Sequence, residues 1–388
     1  MILMREHFLP YNLPDLGPEE EDAVIQALRS HWISRGPLTQ KFEEELSQQL
    51  HGETVLALAS CTAGMHLALL ANDIGPGDEV ITTPYTFAAS VNVIIHVGAT
   101  PVLVDIEKDT GNIDLSMVEQ AITDKTKALL PVHYAGHAVD MRQLNRLRDA
   151  YHLVVVEDAA HAMASTYQGQ PIGTFGNFTA FSFYATKNLT TGEGGALVVP
   201  DPELADKIRI LSLHGMSRHA WNRYSAHGSW VYHIEAAGFK YNMTDLQAAL
   251  GLVQLHKLTR MQKRRQDIAR QYAEELADLP VILPTQREYA EHAWHLYPLR
   301  LIPEALSLSR DQFIEELKVR NIGASVHFIP IHLHPYYQMR YGWTPGQFPN
   351  AEQFFEAEVS LPLYPSMTDD DVNDVIEAVR DIVLSHSR

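Results

Sequence analysis

The residue best suited to covalent chemistry is Lys187, which lies in a short loop between two apolar segments. Segments 178–183 and 196–199 are aromatic or aliphatic, and each predicts a buried strand. The loop ends in Gly192-Glu193-Gly194-Gly195. Burial lowers the pKa of a lysine amine and makes it a nucleophile suited to Schiff-base formation. The alternative is a surface lysine in a hairpin turn.

A turn of small residues, Ser60-Cys61-Thr62-Ala63-Gly64, joins a predicted strand to a predicted helix. Free backbone N–H groups and the helix dipole make such an N-terminus a binding site for a phosphate dianion. By itself this signal is weak, because many strand–helix turns look alike. The turn is neither a P-loop nor a GxGxxG dinucleotide turn.

Another candidate site residue is Asp158, which follows the apolar run Val154-Val155-Val156 and ends a predicted strand. Such an aspartate can pair with a ring nitrogen that must stay protonated, as the pyridinium of pyridoxal phosphate must. The alternative is that Asp158 caps the next helix. Ser182 can reach the phosphate of that cofactor, and Phe87 can stack on its ring. The chain carries these features in the order phosphate turn, aromatic residue, aspartate and lysine. This order is more specific than any one of the features alone, and it predicts pyridoxal 5'-phosphate as cofactor.

These residues are placed by an alternation of short apolar strands and helices. The strands are predicted at 55–59, 80–82, 101–104, 128–132 and 153–156. Apolar strands joined by helices indicate a parallel sheet that is covered on both faces, hence an α/β fold. Ligands of such sheets bind at the carboxyl ends of the strands, so we expect the polar groups to meet at one edge.

The chain is too long for one ordinary core, and its pattern changes after a long helical stretch at 243–276. We predict a large cofactor-binding domain at 1–257 and a smaller α+β domain at 258–388. In the latter, strands are expected at 294–301 and 323–329 and helices at 311–320 and 368–384. Thr368 and Asp371 suggest a capping box at the last helix.

Composition excludes several classes of protein. The 388 residues carry 30 Lys and Arg against 48 Asp and Glu, a net charge of −18, which disfavours nucleic-acid binding. No apolar run is long enough for a membrane span, and the N-terminal stretch lacks the apolar core of a signal peptide. The single cysteine, Cys61, excludes an intrachain disulfide and fits a reducing compartment, so we expect a cytoplasmic protein.

Longer motifs resemble those of the DegT/StrS-type sugar-nucleotide aminotransferases, most of all the UDP-4-amino-4-deoxy-L-arabinose and other UDP-4-keto sugar aminotransferases. The resemblance spans nearly the whole chain and is carried by SCTAGMHLALL, GDEVITTPYTF, PVHYAGHAVDM, VVEDAAHA, FSFYATKNLTTGEGG, LHGMSRHAW and YNMTDLQAALGLVQL. It implies the aspartate-aminotransferase fold (fold type I), pyridoxal phosphate, and a homodimer whose active sites lie at the interface.

The resemblance also implies roles for single residues. Lys187 would hold the cofactor covalently and then move the proton, and Asp158 would pair with the pyridine nitrogen. The remaining cofactor contacts would be Thr62, Ala63, Ser182, Phe87 and His161. His161 can orient Asp158 or be a packed histidine. Where many members carry an Asn-x-Arg pair, this chain has Lys240-Tyr241-Asn242, so either Lys240 or Asn242 would reach the phosphate of the partner subunit.

For the substrate side we predict contacts from His327, Arg218, Trp32 and Ser34. The reaction implied is amino transfer between L-glutamate (giving 2-oxoglutarate) and a nucleotide keto sugar, in cell-surface polysaccharide, lipopolysaccharide or other glycan biosynthesis. Amination at C4 of a UDP sugar is favoured, and C3 amination of a dTDP sugar is the alternative.

Other functions stay open on the sequence alone. His332 and His334 could bind a metal, but a third ligand is missing, so no metal is expected. A lyase or desulfurase would need a cysteine on a mobile loop, whereas Cys61 sits in the phosphate turn. A regulator that kept the fold is disfavoured by the Lys187–Asp158 pair. Relatives that dehydrate sugars have histidine where Lys187 stands, as the resemblance implies, which favours transamination.

Overall fold

The computed structural model of the protein describes residues 5–217 and 231–388. Its strands are β1 (Thr54–Leu58), β2 (Glu79–Thr82), β3 (Thr100–Leu103), β4 (Thr126–Leu130), β5 (Val154–Asp158), β6 (Thr166–Tyr167), β7 (Gln170–Pro171), β8 (Phe178–Ser182), β9 (Gly195–Val199), β10 (Val281–Ile282), β11 (Ala290–Glu291), β12 (Tyr297–Leu301) and β13 (Glu358–Leu361).

The helices are α1 (Pro18–Arg29), α2 (Pro37–Gln49), α3 (Cys61–Ala71), α4 (Ala88–His96), α5 (Leu115–Ala121), α6 (Met141–Tyr151), α7 (Pro202–Ser212), α8 (Asp245–Glu275), α9 (Arg310–Val319), α10 (Pro335–Tyr341), α11 (Pro349–Ala357) and α12 (Asp369–Ser385). None of the helices within the described ranges has the length and apolarity needed to cross a membrane.

The fold is organised by a seven-stranded sheet in the order β1-β9-β8-β5-β4-β2-β3. The pairs from β8 to β3 are parallel, while β9 runs antiparallel to β8 and to β1. Valine-rich β5 is buried along most of its length, since helices cover both faces of the sheet. One core lies on the side of α2, α6 and α8, and the other on the side of α3, α4 and α7. The predicted α/β class and the mostly parallel sheet are confirmed.

A third core lies in the C-terminal part of the chain around the sheet β10-β12-β13 and helices α9 and α12. Helix α8 contributes to two of these cores: Leu255 and Leu258 pack in the core beside α2 and α6, and Ile268 and Tyr272 pack in the C-terminal core. The domain boundary at 257/258 falls inside this helix and stays a prediction. The capping box of Thr368 and Asp371 at the start of α12 is confirmed.

The predicted strand at 323–329 is wrong. This segment is irregular and forms a single bridge between Ser325 and Ser360, whereas β13 is the strand that pairs with β12. The backbone N–H of His327 donates to the Glu358 carboxylate at 2.9 Å instead of to a neighbouring strand. The Glu358 side chain therefore accepts the hydrogen bond that a neighbouring strand would have accepted in a continued sheet.

Candidate active site

The turn after β1 places the N-terminus of α3 at the carboxyl end of the large sheet. Ser60 caps this helix, because its hydroxyl accepts a hydrogen bond from the Ala63 N–H at 3.0 Å. Thr62 lines the adjacent cavity. Gly195 allows the turn to approach the loop, since a Cβ there would lie 2.4 Å from the Cys61 nitrogen. The Ala63 N–H, which was expected to bind the phosphate, therefore already donates to the Ser60 hydroxyl, whereas Thr62 borders the cavity.

Asp158 ends β5 and is 5% exposed, and its carboxylate is held by one O–H and one N–H donor, with the Cys61 thiol 3.8 Å from Oδ1. Ser90 Oγ of α4 donates to Oδ2 at 2.7 Å, and the Ala160 N–H donates to Oδ1 at 3.1 Å. The residues that follow Asp158 form turns, so the alternative interpretation as a helix cap is wrong. His161 is likewise not on a helix with Asp158: its Nδ1 accepts from the Ala135 N–H at 3.2 Å. Ser90 was missed by sequence reasoning.

Lys187 stands in the loop between β8 and β9, with its amine inside the cavity. Burial lowers the pKa of this amine to about 8, and the negative charge of Asp158 opposes that shift. A lysine with such a pKa exists partly as the free amine near neutral pH, which is the nucleophilic form.

Three histidines stand around this amine, and His295 was not anticipated from the sequence. Its Nε2 lies 3.4 Å from the Lys187 Nζ. The rings of His161 and His295 are 4.4 Å apart, centre to centre. Burial lowers the pKa of His161, His295 and His327, and the charge of Lys187 adds to each shift, so all three are neutral. Lys187 thus titrates among uncharged imidazoles.

A cavity of about 570 Å³ joins these groups. Seven of the residues predicted as site residues line it: Thr62, Phe87, Asp158, His161, Ser182, Lys187 and His327. Tyr11 and His295 line it as well and were missed. Tyr11 comes from the N-terminal segment, far along the chain from the other groups, so no local pattern could have found it.

Of the other predicted residues, those within the described part of the chain do not line this cavity. Lys240 and Asn242 hydrogen-bond to each other just before α8. Trp32 and Ser34 lie in the loop before α2, where the Ser34 carbonyl accepts from the Asp245 N–H at 3.0 Å. The predicted substrate contact Arg218 falls outside the described residues.

The histidines considered as metal ligands have other contacts. His332 Nε2 lies 2.8 Å from a Glu352 carboxylate oxygen. In the parts of the chain that the structure describes, no group of three or more His, Cys, Asp or Glu side chains could hold a metal ion.

The donor set fits pyridoxal phosphate. The cavity offers a helix N-terminus with the Ser182 hydroxyl for a phosphate, a buried carboxylate for a ring nitrogen, and a primary amine for an aldehyde. Phe87, which is 64% exposed at the cavity wall, offers a free aromatic face for a planar ring.

Comparisons with known proteins agree with this geometry. Residues 14–380 match the family described as DegT/DnrJ/EryC1/StrS aminotransferase family. The chain is 54% identical over 385 residues to the spore coat polysaccharide biosynthesis protein SpsC of Bacillus subtilis, covering 99% of each chain.

Two solved structures are similar over nearly the whole chain. Spr1654 of Streptococcus pneumoniae, in its PMP form, has a TM-score of 0.91 at 38% identity, covering 97% of this chain and 99% of its own; its PLP form matches too. Helicobacter pylori PseC, an aminotransferase involved in the biosynthesis of pseudoaminic acid, has a TM-score of 0.90 at 31% identity, covering 98% and 100%.

Proposed function

Because the chain belongs to the DegT/DnrJ/EryC1/StrS aminotransferase family and is a pyridoxal-phosphate-dependent sugar aminotransferase, we propose that it aminates the C4 keto carbon of a UDP-linked sugar with L-glutamate as donor. The observation that carries the amino-transfer step is the Lys187 amine, with a pKa of about 8, in one cavity with the Asp158 carboxylate. The choice of UDP and of C4 rests on the resemblance of the sequence motifs.

The residues of the chain divide the chemistry between them. Bound pyridoxal phosphate supplies an aldehyde for the amino group and a protonated ring that withdraws electrons. Asp158, oriented by Ser90, would accept the ring N–H and so keep the ring protonated, and Thr62 and Ser182 would hold the phosphate at the N-terminus of α3. Lys187 would hold the aldehyde, and its amine, once free, would accept and return the substrate proton, a role that suits its lowered pKa.

We propose that the enzyme is a homodimer with a shared active site. Phe87 and Tyr184 line the cavity and are 64% and 47% exposed, so exposed aromatic surface borders the site. A cluster of exposed apolar side chains is typical of a surface that a partner covers. Lys240 and Asn242 precede α8, whose Gln247 donates to the Glu193 carbonyl in the cavity loop at 2.6 Å. This position suits a contact across the interface.

The biological role we propose is the synthesis of an amino sugar for a cell-surface polysaccharide. SpsC is a spore coat polysaccharide biosynthesis protein, and PseC acts in the biosynthesis of pseudoaminic acid. A desulfurase role is disfavoured because Cys61 is buried, its Sγ contacts the Ala180 carbonyl at 3.2 Å, and burial raises the pKa of its thiol.

The reaction is tested with purified, cofactor-loaded protein, L-glutamate, and a panel of UDP-4-keto and dTDP-3-keto sugars, with mass spectrometry of the products. We expect amination of a UDP-4-keto sugar, none with Lys187→Ala, and normal activity with Lys41→Ala, a surface lysine that is 58% exposed. If the enzyme aminates dTDP-3-keto sugars and no UDP-4-keto sugar, the assignment of a UDP-4-keto sugar as substrate is wrong and C3 amination of a dTDP sugar takes its place. A wild type that aminates no sugar nucleotide would refute the proposal.

Sharing of the active site is tested by subunit mixing. The Lys187→Ala variant and a Lys240→Ala/Asn242→Ala variant are each purified, then unfolded and refolded together. If Lys240 and Asn242 act on the cofactor of the partner subunit, one active site of a mixed dimer combines an intact Lys187 with intact Lys240 and Asn242. The mixture then regains activity that each parent variant lacks. A mixture no more active than its parents would place these residues in their own subunit's site.

A further inference from the structure

Glu358 is a buried carboxyl group that the proposed reaction does not use. It begins β13 and is 0% exposed. Its Oε2 accepts the backbone N–H of His327 at 2.9 Å, and its Oε1 shares a short hydrogen bond with the hydroxyl of Ser360. The first contact is with the backbone of His327, which lines the cavity, and the second is with Ser360, which in turn contacts the His327 ring.

Ser360 connects this carboxyl group to the His327 ring. Its Oγ lies 2.9 Å from Nδ1 of His327, so the hydroxyl has a single proton to share between the Glu358 carboxyl group and Nδ1, while the Tyr11 hydroxyl, which also hydrogen-bonds to Ser360, carries a proton of its own. If Glu358 is ionised, it takes the hydroxyl proton and Nδ1 must carry its own. If Glu358 is a neutral acid, it donates to Ser360, and Ser360 donates to Nδ1. The proton on His327 then lies on Nε2, which has no hydrogen-bond partner among the described residues.

We propose that Glu358, as a neutral carboxylic acid, acts through Ser360 to fix the tautomer of His327 and so presents its Nε2–H to the cavity as a hydrogen-bond donor. Glu358 and Ser360 are positioning residues, and His327 is the group that touches the substrate. The Tyr134 hydroxyl donates to the His327 carbonyl at 2.7 Å, so the backbone of this residue is held on both sides.

A fixed N–H donor selects an oxygen acceptor on the bound molecule. This inference rests on the proposed function: the acceptor would be a sugar hydroxyl or a carboxylate oxygen of the substrate beside Lys187. Because the imidazole is neutral, it supplies direction without adding a second cation next to the Lys187 amine.

The surroundings of Glu358 favour the neutral acid. Burial raises the pKa of its carboxyl group to about 8, against the opposing effects of its hydrogen bonds and of Arg310. Tyrosines from three other segments face it and stay protonated, because burial raises the pKa of each. The titratable and charged groups around Glu358 are Tyr11, Tyr85, Tyr134, Arg310, His327 and, opposite it on β12, Arg300.

The tautomer is tested directly by nitrogen NMR of the cofactor-loaded protein labelled with ¹⁵N-histidine, with His327→Gln to assign the His327 signals. We expect an unprotonated Nδ1 and a protonated Nε2. Glu358→Gln should keep this pattern, because the amide donates an N–H to Ser360 and accepts from the His327 backbone. Ser360→Ala should lose it. Glu352→Gln, which alters another Glu–His pair at 2.8 Å, should leave the His327 signals unchanged.

A wild type protonated on Nδ1, or an unchanged His327 pattern in Ser360→Ala, would overturn the proposal. Loss of the pattern in Glu358→Gln would overturn it as well. The kinetic counterpart is a KM for the keto sugar that rises about tenfold in Ser360→Ala, the effect of one lost hydrogen bond, with KM unchanged in Glu358→Gln. Absence of any sugar amination in the wild type would refute the proposed function, while the NMR pattern would still decide the tautomer.

Discussion

The Nε2 atom of His295 lies 3.4 Å from the Nζ atom of Lys187, and the other ring nitrogen determines what this contact can be. Nδ1 of His295 lies 3.2 Å from the side-chain oxygen of Asn188, whose amide nitrogen donates to the Ala293 carbonyl at 2.7 Å. Nδ1 must therefore carry the proton, and Nε2 is an acceptor. His295 can receive a hydrogen bond from the Lys187 amine but cannot donate one to it.

We therefore expect His295→Leu to slow the glutamate half-reaction about tenfold or more, because the free Lys187 amine loses the acceptor that positions it. His295→Gln retains a carbonyl oxygen and should recover part of the rate. The rate is measured by single-turnover absorbance of the bound cofactor, with the exposed His256→Leu as control. An unimpaired His295→Leu enzyme would show that the contact has no part in the reaction.

Lys187 should titrate far below an ordinary lysine. Its pKa is about 8 because of burial, and the Asp158 charge raises it, so removal of that charge should lower it further. In protein stripped of cofactor, the rate of Lys187 labelling by an amine reagent should rise with pH through a midpoint near 8. Asp158→Asn should shift the midpoint to lower pH. Lys187→Arg gives the background, and a midpoint at or above the ordinary 10.5 would contradict the prediction.

Much of the fold follows from local patterns. Buried parallel strands are continuous apolar runs, so the carboxyl end of β8 was located to within one residue, and Asp158 was correctly placed at the end of β5. The prediction for segment 323–329 failed because its residues resemble a strand, but only Ser325 pairs with β13, and the His327 N–H donates to the Glu358 side chain. Side-chain acceptors of this kind leave no periodic signal.

Apart from His327, the site was predictable mainly where its residues follow strand ends. Lys187 and Asp158 do so, and their types match a known chemistry. Ser90 and His295 act on these two from 68 and 108 residues away, through contacts that depend on tertiary packing. A serine on an apolar helix and a histidine before a strand have many structural uses, so neither stands out in the sequence.

Ser90 should contribute to cofactor affinity through Asp158. Its hydroxyl donates to Oδ2 at 2.7 Å and orients the carboxylate that we propose pairs with the cofactor ring. A hydrogen bond to a charged group contributes about 1.5–3 kcal/mol, so Ser90→Ala should weaken pyridoxal phosphate binding about tenfold or more. Fluorescence titration of the stripped protein measures this. Ser116→Ala, which removes a similar hydroxyl from the exposed Asp114 at 2.6 Å, is the matched control and should bind normally.

Glu358 should make stability depend on pH in a definite direction. In the unfolded chain its carboxyl group ionises near 4.5, and in the folded protein near 8, because burial raises the pKa. Between these values the unfolded state loses its proton first, so the stability held below pH 4.5 falls as pH rises to about 8.

The slope is at most about 1.4 kcal/mol per pH unit for one group. Glu358→Gln does not titrate, so its free energy of unfolding, from urea denaturation, should gain on wild type between pH 5 and pH 8. Glu315→Gln, an exposed carboxylate, should follow wild type at both pH values. If the free energies of unfolding of Glu358→Gln and wild type differ by the same amount at pH 5 and at pH 8, Glu358 is already ionised at pH 5. The neutral acid that orients His327 would then be absent.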